Sequence, residues 1–215
     1  YEVSATLQRF DGEKTLFFEN IKETETKIVG GVCGTRNKIL KGLKVTPENL
    51  YNKLIDAARN PIKCKVGGGP VKENIKTVQL KDIPILTHFK GDPGPYITSG
   101  IVYARSPSEE HENVSYHRLL VIDEKRLAIR IVPRQLYRIT QLAKESGLSS
   151  IDVSISIGLH PTILVAAALP AAFGVSEFDV ANNLLSNTLK LTECERVNAL
   201  APANAELVLE GKLML

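Results

Sequence analysis

Three strand-like runs crowd into residues 96–132, and their spacing constrains the fold more than any other feature of the chain. They are YITSGIVYA (96–104), NVSYHRLLVI (113–122) and RLAIRIV (126–132). The links at 105–112 and 123–125 are shorter than the roughly dozen-residue crossover that parallel neighbours need. The runs are therefore expected to pair antiparallel, with Asp123, Glu124 and Lys125 forming a hairpin turn between the last two. Further strands are expected at 14–20, 27–32, 74–80, 152–158, 189–195 and 205–215.

Helical spacing marks the remaining segments. Residues 1–9 read as the end of a helix, and 35–43 as a short one. Residues 46–60 form a clearer helix, with Thr46 as cap and Pro47 at the first helical position. Another helix runs from Pro133 to Gly147, a small-residue helix spans 161–170, and Ser176 is placed to cap a helix over 176–185. The texture changes near residue 83. The expected fold class is therefore α+β: a small α/β region over 1–85, then a domain over 86–215 built from antiparallel strands and flanking helices.

Charge and cysteine content exclude several function classes. With 27 Lys and Arg against 24 Asp and Glu, the net charge of +3 is slight and scattered, which gives no support to nucleic-acid or membrane-surface binding. No apolar run approaches the roughly 18 residues that a membrane-spanning helix needs. The longest, ILVAAALPAAFGV, is broken by Pro170 and Gly174. Cys33, Cys64 and Cys194 are far apart and odd in number, so buried thiols in a reducing cytoplasm are expected rather than disulfides or a zinc site. No secretory signal precedes the first strand pattern, and the chain opens on Tyr1, as a fragment would.

The run at 112–123 is unusual for a strand because it carries Asn113, Ser115, His117 and Arg118 directly before an apolar stretch. Alternation puts Asn113, Ser115 and His117 on one face and Val114, Tyr116 and Arg118 on the other. Polar groups entering a buried strand need partners or a ligand. The turn-rich loop GDPGPYITSG (91–100) is shaped by two Pro and two Gly before Thr98, and can set backbone and hydroxyl groups beside a ligand. Glu177 falls in the first turn of its helix, where capping alone accounts for it. Glu206 and Glu210 share a strand face, an arrangement more common on exposed sheets than in acid/base pairs. His88, His111 and His160 stand alone beside loops and are assigned no chemistry. The GGG run at 67–69 lacks the Lys-Ser/Thr of a phosphate loop.

Taken in order, TLFFENIK (15–22), GDPGPYITSGIV (91–102), NVSYHRLLV (113–121), LPAAFGVSEFDVANNLL (169–185) and VNALAPANAELVLEG (197–211) resemble the UbiD family of decarboxylases over nearly the whole chain. The resemblance implies prenylated FMN held in a split β-barrel domain, with a divalent metal such as manganese, and often a potassium ion, bridging the flavin phosphate to the protein. Matched by position, Asn113 and Glu177 are the implied metal ligands. Thr98, Ser115, Tyr116, His117, Arg118, Arg134, Gln135, Ala168, Leu169 and Pro170 are the implied cofactor contacts. Arg118 also matches the residue beside the reacting carboxylate, which makes it the implied catalytic residue. Where the family has a further His ligand, this chain has Gln135, whose side-chain oxygen is a candidate substitute.

The implied activity is non-oxidative loss of CO2 from an unsaturated or aromatic acid, of the 4-hydroxybenzoate or anhydromevalonate phosphate type. A flavin prenyltransferase would supply the cofactor, and a homo-oligomer is expected. The family's acid-bearing Glu-Gly-Pro-aromatic-Gly-Glu/Asp segment lies beyond Leu215, so the barrel is expected to be incomplete and these 215 residues inactive alone. A flavin-binding or assembly subunit without catalysis is the alternative from another class.

Overall fold

In a computed structural model of the chain, all residues except 23 and 78 are described. The N-terminal part comprises α1 (Glu2–Arg9), β1 (Leu16–Phe18), β2 (Ile28–Gly30), α2 (Arg36–Leu43), α3 (Leu50–Arg59) and β3 (Lys65–Val66). Then come β4 (Tyr96–Ile97), β5 (Ile101–Arg105), β6 (Glu112–Tyr116), β7 (Leu119–Val121), β8 (Leu127–Ile129), α4 (Gln135–Glu145) and β9 (Ser150–Ile157). The chain continues through α5 (Pro161–Ala166), α6 (Glu177–Leu184), β10 (Lys190–Glu193), β11 (Leu200–Pro202) and β12 (Leu207–Met214). This is the expected α+β class. Among the described residues the strands form four sheets, and none closes into a barrel.

The central sheet has the order β12-β9-β5-β6 and is antiparallel throughout. Alternation along β5 sends Ile101 and Tyr103 to one face and Val102 and Ala104 to the other, and all four are buried. The first pair joins a core with Val114 and residues of α5 and α6. The second joins a core with α4 and β9, including Leu136, Ile139, Val153 and Ile155. A sheet covered on both faces explains why these strands carry apolar residues at successive positions.

Two expected strands are each broken in the middle. The run 96–104 splits into β4 and β5, and 113–122 splits into β6 and β7. β4, β7 and β8 form a separate three-stranded sheet. Both arms of the hairpin thus leave one sheet and enter another at the same level. Ile97 pairs with Leu119 on one side of the break and Ile101 with Tyr116 on the other. Thr98, Ser99 and Gly100 therefore face only His117 and Arg118, a one-residue mismatch of the kind that bends a strand pair. The DEK hairpin forms as expected: Asp123 Oδ1 accepts from the N–H groups of Lys125 and Arg126.

Other expectations shift at their edges. The helix placed at 46–60 begins at Leu50, because Thr46–Asn49 closes a turn through Asn49 N–H to Thr46 C=O. The helix placed at 161–170 ends at Ala166. The strand expected over 74–80 does not form in its described residues, and Val78 lies outside them.

Helix α6 is buried on nearly every side, with Glu177, Phe178, Asp179, Val180, Ala181, Asn182 and Leu184 all inaccessible. Its polar residues therefore need internal partners. Asn182 donates to the carbonyls of Ile62 and Lys63 and to Asn187 Oδ1, and accepts from Leu189 N–H. Asp179 meets Lys63 Nζ at 2.8 Å and Cys64 N–H at 3.0 Å. These bonds tie the segment after α3 to the second half of the chain. Replacing Asn182 by Ala leaves buried groups unpaired, and urea unfolding should show a loss of about 2 kcal/mol or more.

Candidate cofactor and cation site

Strand β6 is an edge strand, and its outer side carries backbone groups that need cover. Glu177 provides it: its Oε2 accepts from Val114 N–H at 2.8 Å. Asn113, one residue earlier, is 3% exposed, as is Glu177. The two implied metal ligands thus lie within one residue of a shared hydrogen bond, Asn113 on the strand and Glu177 on the helix that caps its edge. Among the described residues Glu177 forms no ion pair, whereas Asp179 one turn along has Lys63. Burial pushes the Glu177 carboxyl up to about 7, its bonds to the N–H groups of Val114 and Glu177 oppose the shift, and the charge of Glu112 adds to it.

On the face predicted by alternation, Asn113 Nδ2 donates to Ser115 Oγ at 2.7 Å. Ser115 Oγ is 3.0 Å from His117 Nε2, and His117 Nδ1 is 3.2 Å from the Arg130 carbonyl. Burial lowers the His117 pKa, so the ring is held neutral as a link in this chain rather than as a cation. The chain of bonds runs from Asn113, beside Glu177, to the break before β7.

At the break the charge changes sign. Arg118 sits one position before the Leu119–Ile129 pair, which sets it opposite Arg130 on β8. Both are exposed, and among the described residues neither guanidinium has a hydrogen bond or ion pair. Arg134, the N-cap of α4, is likewise exposed and unpaired. Like charges facing across strands repel, so this arrangement is suited to an anion. Sequence reasoning missed Arg130. The cue was available in the hairpin register, which sets Arg118 and Arg130 in cross-strand positions.

The remaining expected residues divide into two groups. Thr98 and Tyr116 are exposed at the corner on either side of the break, and Thr98 Oγ1 lies 3.4 Å from His88 Nε2. Ala168 and Pro170 are exposed and Leu169 is half-buried in the segment after α5. Gln135 is not simply a ligand awaiting a metal: its Nε2 donates to the Ala171 carbonyl at 2.6 Å. Its Oε1 is buried without a partner. Ser176 is N-cap by position, but its side chain makes no capping bond and its Oγ is also buried and unpartnered. Glu210 accepts the N–H groups of Glu195 and Arg196, a structural task in place of acid/base work.

These observations fit a divalent metal. A buried carboxylate without a cation, an adjacent amide and unpartnered oxygens on neighbouring elements are a hard-ion donor set. No cluster of three His, Cys, Asp or Glu residues occurs among the described residues, so such an ion would draw on amide and hydroxyl oxygens. The exposed guanidinium groups of Arg118, Arg130 and Arg134 fit anionic groups such as a flavin phosphate or a carboxylate.

The geometry places a buried carboxylate against β6 and exposed guanidinium groups at the bend that follows it. Residues 63–215 match the 3-octaprenyl-4-hydroxybenzoate carboxy-lyase Rift-related domain, and residues 1–58 the N-terminal domain of the same enzymes; the chain belongs to the UbiD family. It is 35% identical over 211 residues to an anhydromevalonate phosphate decarboxylase of Methanothermobacter thermautotrophicus, covering 98% of this chain and 49% of the relative. It is 28% identical over 225 residues to a gallate decarboxylase of Lactiplantibacillus plantarum, covering 97% and 46%. The solved UbiD-class enzyme HmfF from Pelotomaculum thermopropionicum, in complex with FMN, superposes with a TM-score of 0.95 at 38% identity, covering all of this chain and 49% of that one. The chain spans about half the length of the curated relatives it matches.

Two measurements test the electrostatics. Glu177 has a folded value near 7 against an ordinary 4.5, so the folded state holds the proton more tightly than the unfolded chain does. Its contribution to stability is present below 4.5 and is lost as pH rises toward 7. In metal-free protein, the wild type should lose roughly 3 kcal/mol more between pH 4.5 and 7.5 than E177Q does. Second, R130Q should stabilise the ligand-free protein by a few tenths of a kcal/mol and weaken its affinity for FMN, read by denaturation and by flavin fluorescence.

Proposed function

We propose that this chain contributes the cofactor site of a UbiD-type decarboxylase that removes CO2 non-oxidatively from an unsaturated or aromatic acid. The observation that carries the reading is the pairing, along β6 and its break, of a buried uncompensated carboxylate at Glu177 with unpaired arginines at 118 and 130. Prenylated FMN and a divalent metal, manganese by preference, are the proposed cofactors, with potassium as a second cation. When bound, the flavin would supply the electron sink for decarboxylation.

The chain's own residues then have separate tasks. Asn113 and Glu177 would hold the metal, with Gln135 Oε1 as a further donor. Arg130 and Arg134 would take the flavin phosphate. Thr98, Ser115, Tyr116, His117 and the 168–170 segment would border the rest of the cofactor. Arg118 would hold the substrate carboxylate by its guanidinium fork. None of these residues is assigned the acid that returns a proton to the product.

An anhydromevalonate phosphate-type substrate is favoured over a 4-hydroxybenzoate type by the 35% identity to the archaeal relative. The proposed division sets an N-terminal region at 1–85 before the cofactor domain at 86–215. A cytoplasmic homo-oligomer served by a flavin prenyltransferase completes the proposal. Among the described residues no helix is long and apolar enough to cross a membrane.

The test is full-length protein co-expressed with a flavin prenyltransferase, assayed for CO2 release from both acid types. Turnover is expected, with R118Q lowering kcat/KM on the order of 10²-fold because a charge-assisted bidentate contact is lost. Retained prenyl-flavin without turnover on either acid would favour a flavin-binding subunit. Absence of retained flavin would overturn the reading.

A further inference from the structure

Three buried polar side-chain atoms have no hydrogen-bond partner among the described residues: His111 Nδ1, Gln135 Oε1 and Ser176 Oγ. An unmet buried polar atom is costly and calls for a partner. All three border one stretch of chain, 171–176, which leads into Glu177. Gln135 is bonded to Ala171. The His111 ring lies against Phe173, with centroids 4.5 Å apart, and its Nδ1 is 3.2 Å from where a side chain on Gly174 would begin. Arg138 covers the Phe173 ring at 4.0 Å.

The backbone fixes His111 firmly. Its N–H donates to Ser106 Oγ at 3.1 Å, and its carbonyl accepts from Ser106 N–H at 2.8 Å. It directly precedes β6, two residues before Asn113, so strand periodicity puts both side chains on one face. The same face carries His117, but both nitrogens of that ring are engaged, by Ser115 and by the Arg130 carbonyl. Of the two imidazoles along β6, His111 is the one with a buried nitrogen unclaimed. A substitution at Gly174 would press on that nitrogen, and Gly174 has φ +93°, so the backbone comes close to it without a Cβ.

We propose that His111 is a metal ligand in this chain, its Nδ1 completing a mixed nitrogen and oxygen set with Asn113, Gln135 and Glu177 around a divalent transition metal. The inference rests on the reading that Asn113 and Glu177 bind such an ion. A set of one imidazole, one carboxylate and neutral amides suits Mn²⁺ or Fe²⁺ over Ca²⁺, because calcium sites are built from oxygen.

The test uses the full-length protein with Mn²⁺ as the probe, and needs no turnover. Affinity is measured by titration calorimetry, and nitrogen coordination by the ¹⁴N modulation of the Mn²⁺ spin echo, for wild type, H111L, H111N and E177Q. Wild type is expected to bind Mn²⁺ with an imidazole ¹⁴N signal. H111L should bind tenfold or more weakly. H111N, which can place an oxygen near the lost nitrogen, should recover most of the affinity but not the ¹⁴N signal. If H111L fails to fold, by circular dichroism, the ¹⁴N signal of H111N decides alone. An unchanged signal in H111N, or affinity in folded H111L within twofold of wild type, would overturn the role of His111 while leaving the ion site intact. If wild type binds no Mn²⁺, the ion site and this inference fall together.

Discussion

The bond from Val114 N–H to Glu177 joins the edge of the central sheet to a helix that has almost no exposed side. Without it, the N–H of Val114 on the edge of β6 would lose its partner and the buried Glu177 carboxyl would lose its bond to the sheet. Around it several further contacts fasten the same helix and sheet. Phe178 stacks on Tyr103 at 5.9 Å with rings 13° from parallel, and the Tyr103 hydroxyl is held between Arg105 and Glu112. Arg105 and Glu112 face each other across the β5–β6 pair. The helix is thus pinned in depth by packing, and the carboxylate's position follows.

That carboxylate is stable as placed only if something offsets its charge. Asp179 has a lysine and an amide. Among the described residues Glu177 has amides alone, and burial raises its pKa. Past the other end of β6 lies the reverse imbalance, guanidinium groups with no counter-charge among the described residues. Among the described residues, opposite charges are thus left without an ion-pair partner at the two ends of this one strand and its bend.

Much of this was legible before any coordinates. Alternation correctly grouped Asn113, Ser115 and His117, because side chains on a strand obey the pleat whatever their chemistry. The break at 117–118 was less visible. An apolar run gives no sign of which sheet it belongs to, and LLV pairs in a different sheet from the residues just before it. The three-against-two mismatch depends on register, which single-strand patterns do not carry. Residues 74–80 alternate like a strand, but their described residues join no sheet, so alternation without a partner strand does not make one. Ser176 has the residue type of a cap but makes no capping bond, and its hydroxyl stands unpartnered instead. His111 was dismissed because isolation in sequence hides what a strand face and a distant loop bring together.

The sheet corner has one more implication. Asn113 travels with β5 and β9, whereas Arg118 leads into the sheet of β4, β7 and β8. The span between Asn113 and Arg118 therefore depends on how steeply those two layers incline toward one another. That inclination is set by dry packing of Ile97, Leu119, Val102 and Ile155, none of which bears a charge. Enlarging or trimming one of these aliphatic wedges would retune the reach of the polar machinery without touching any of its members, so relatives acting on acids of different size have a ready means of divergence well away from the chemistry itself.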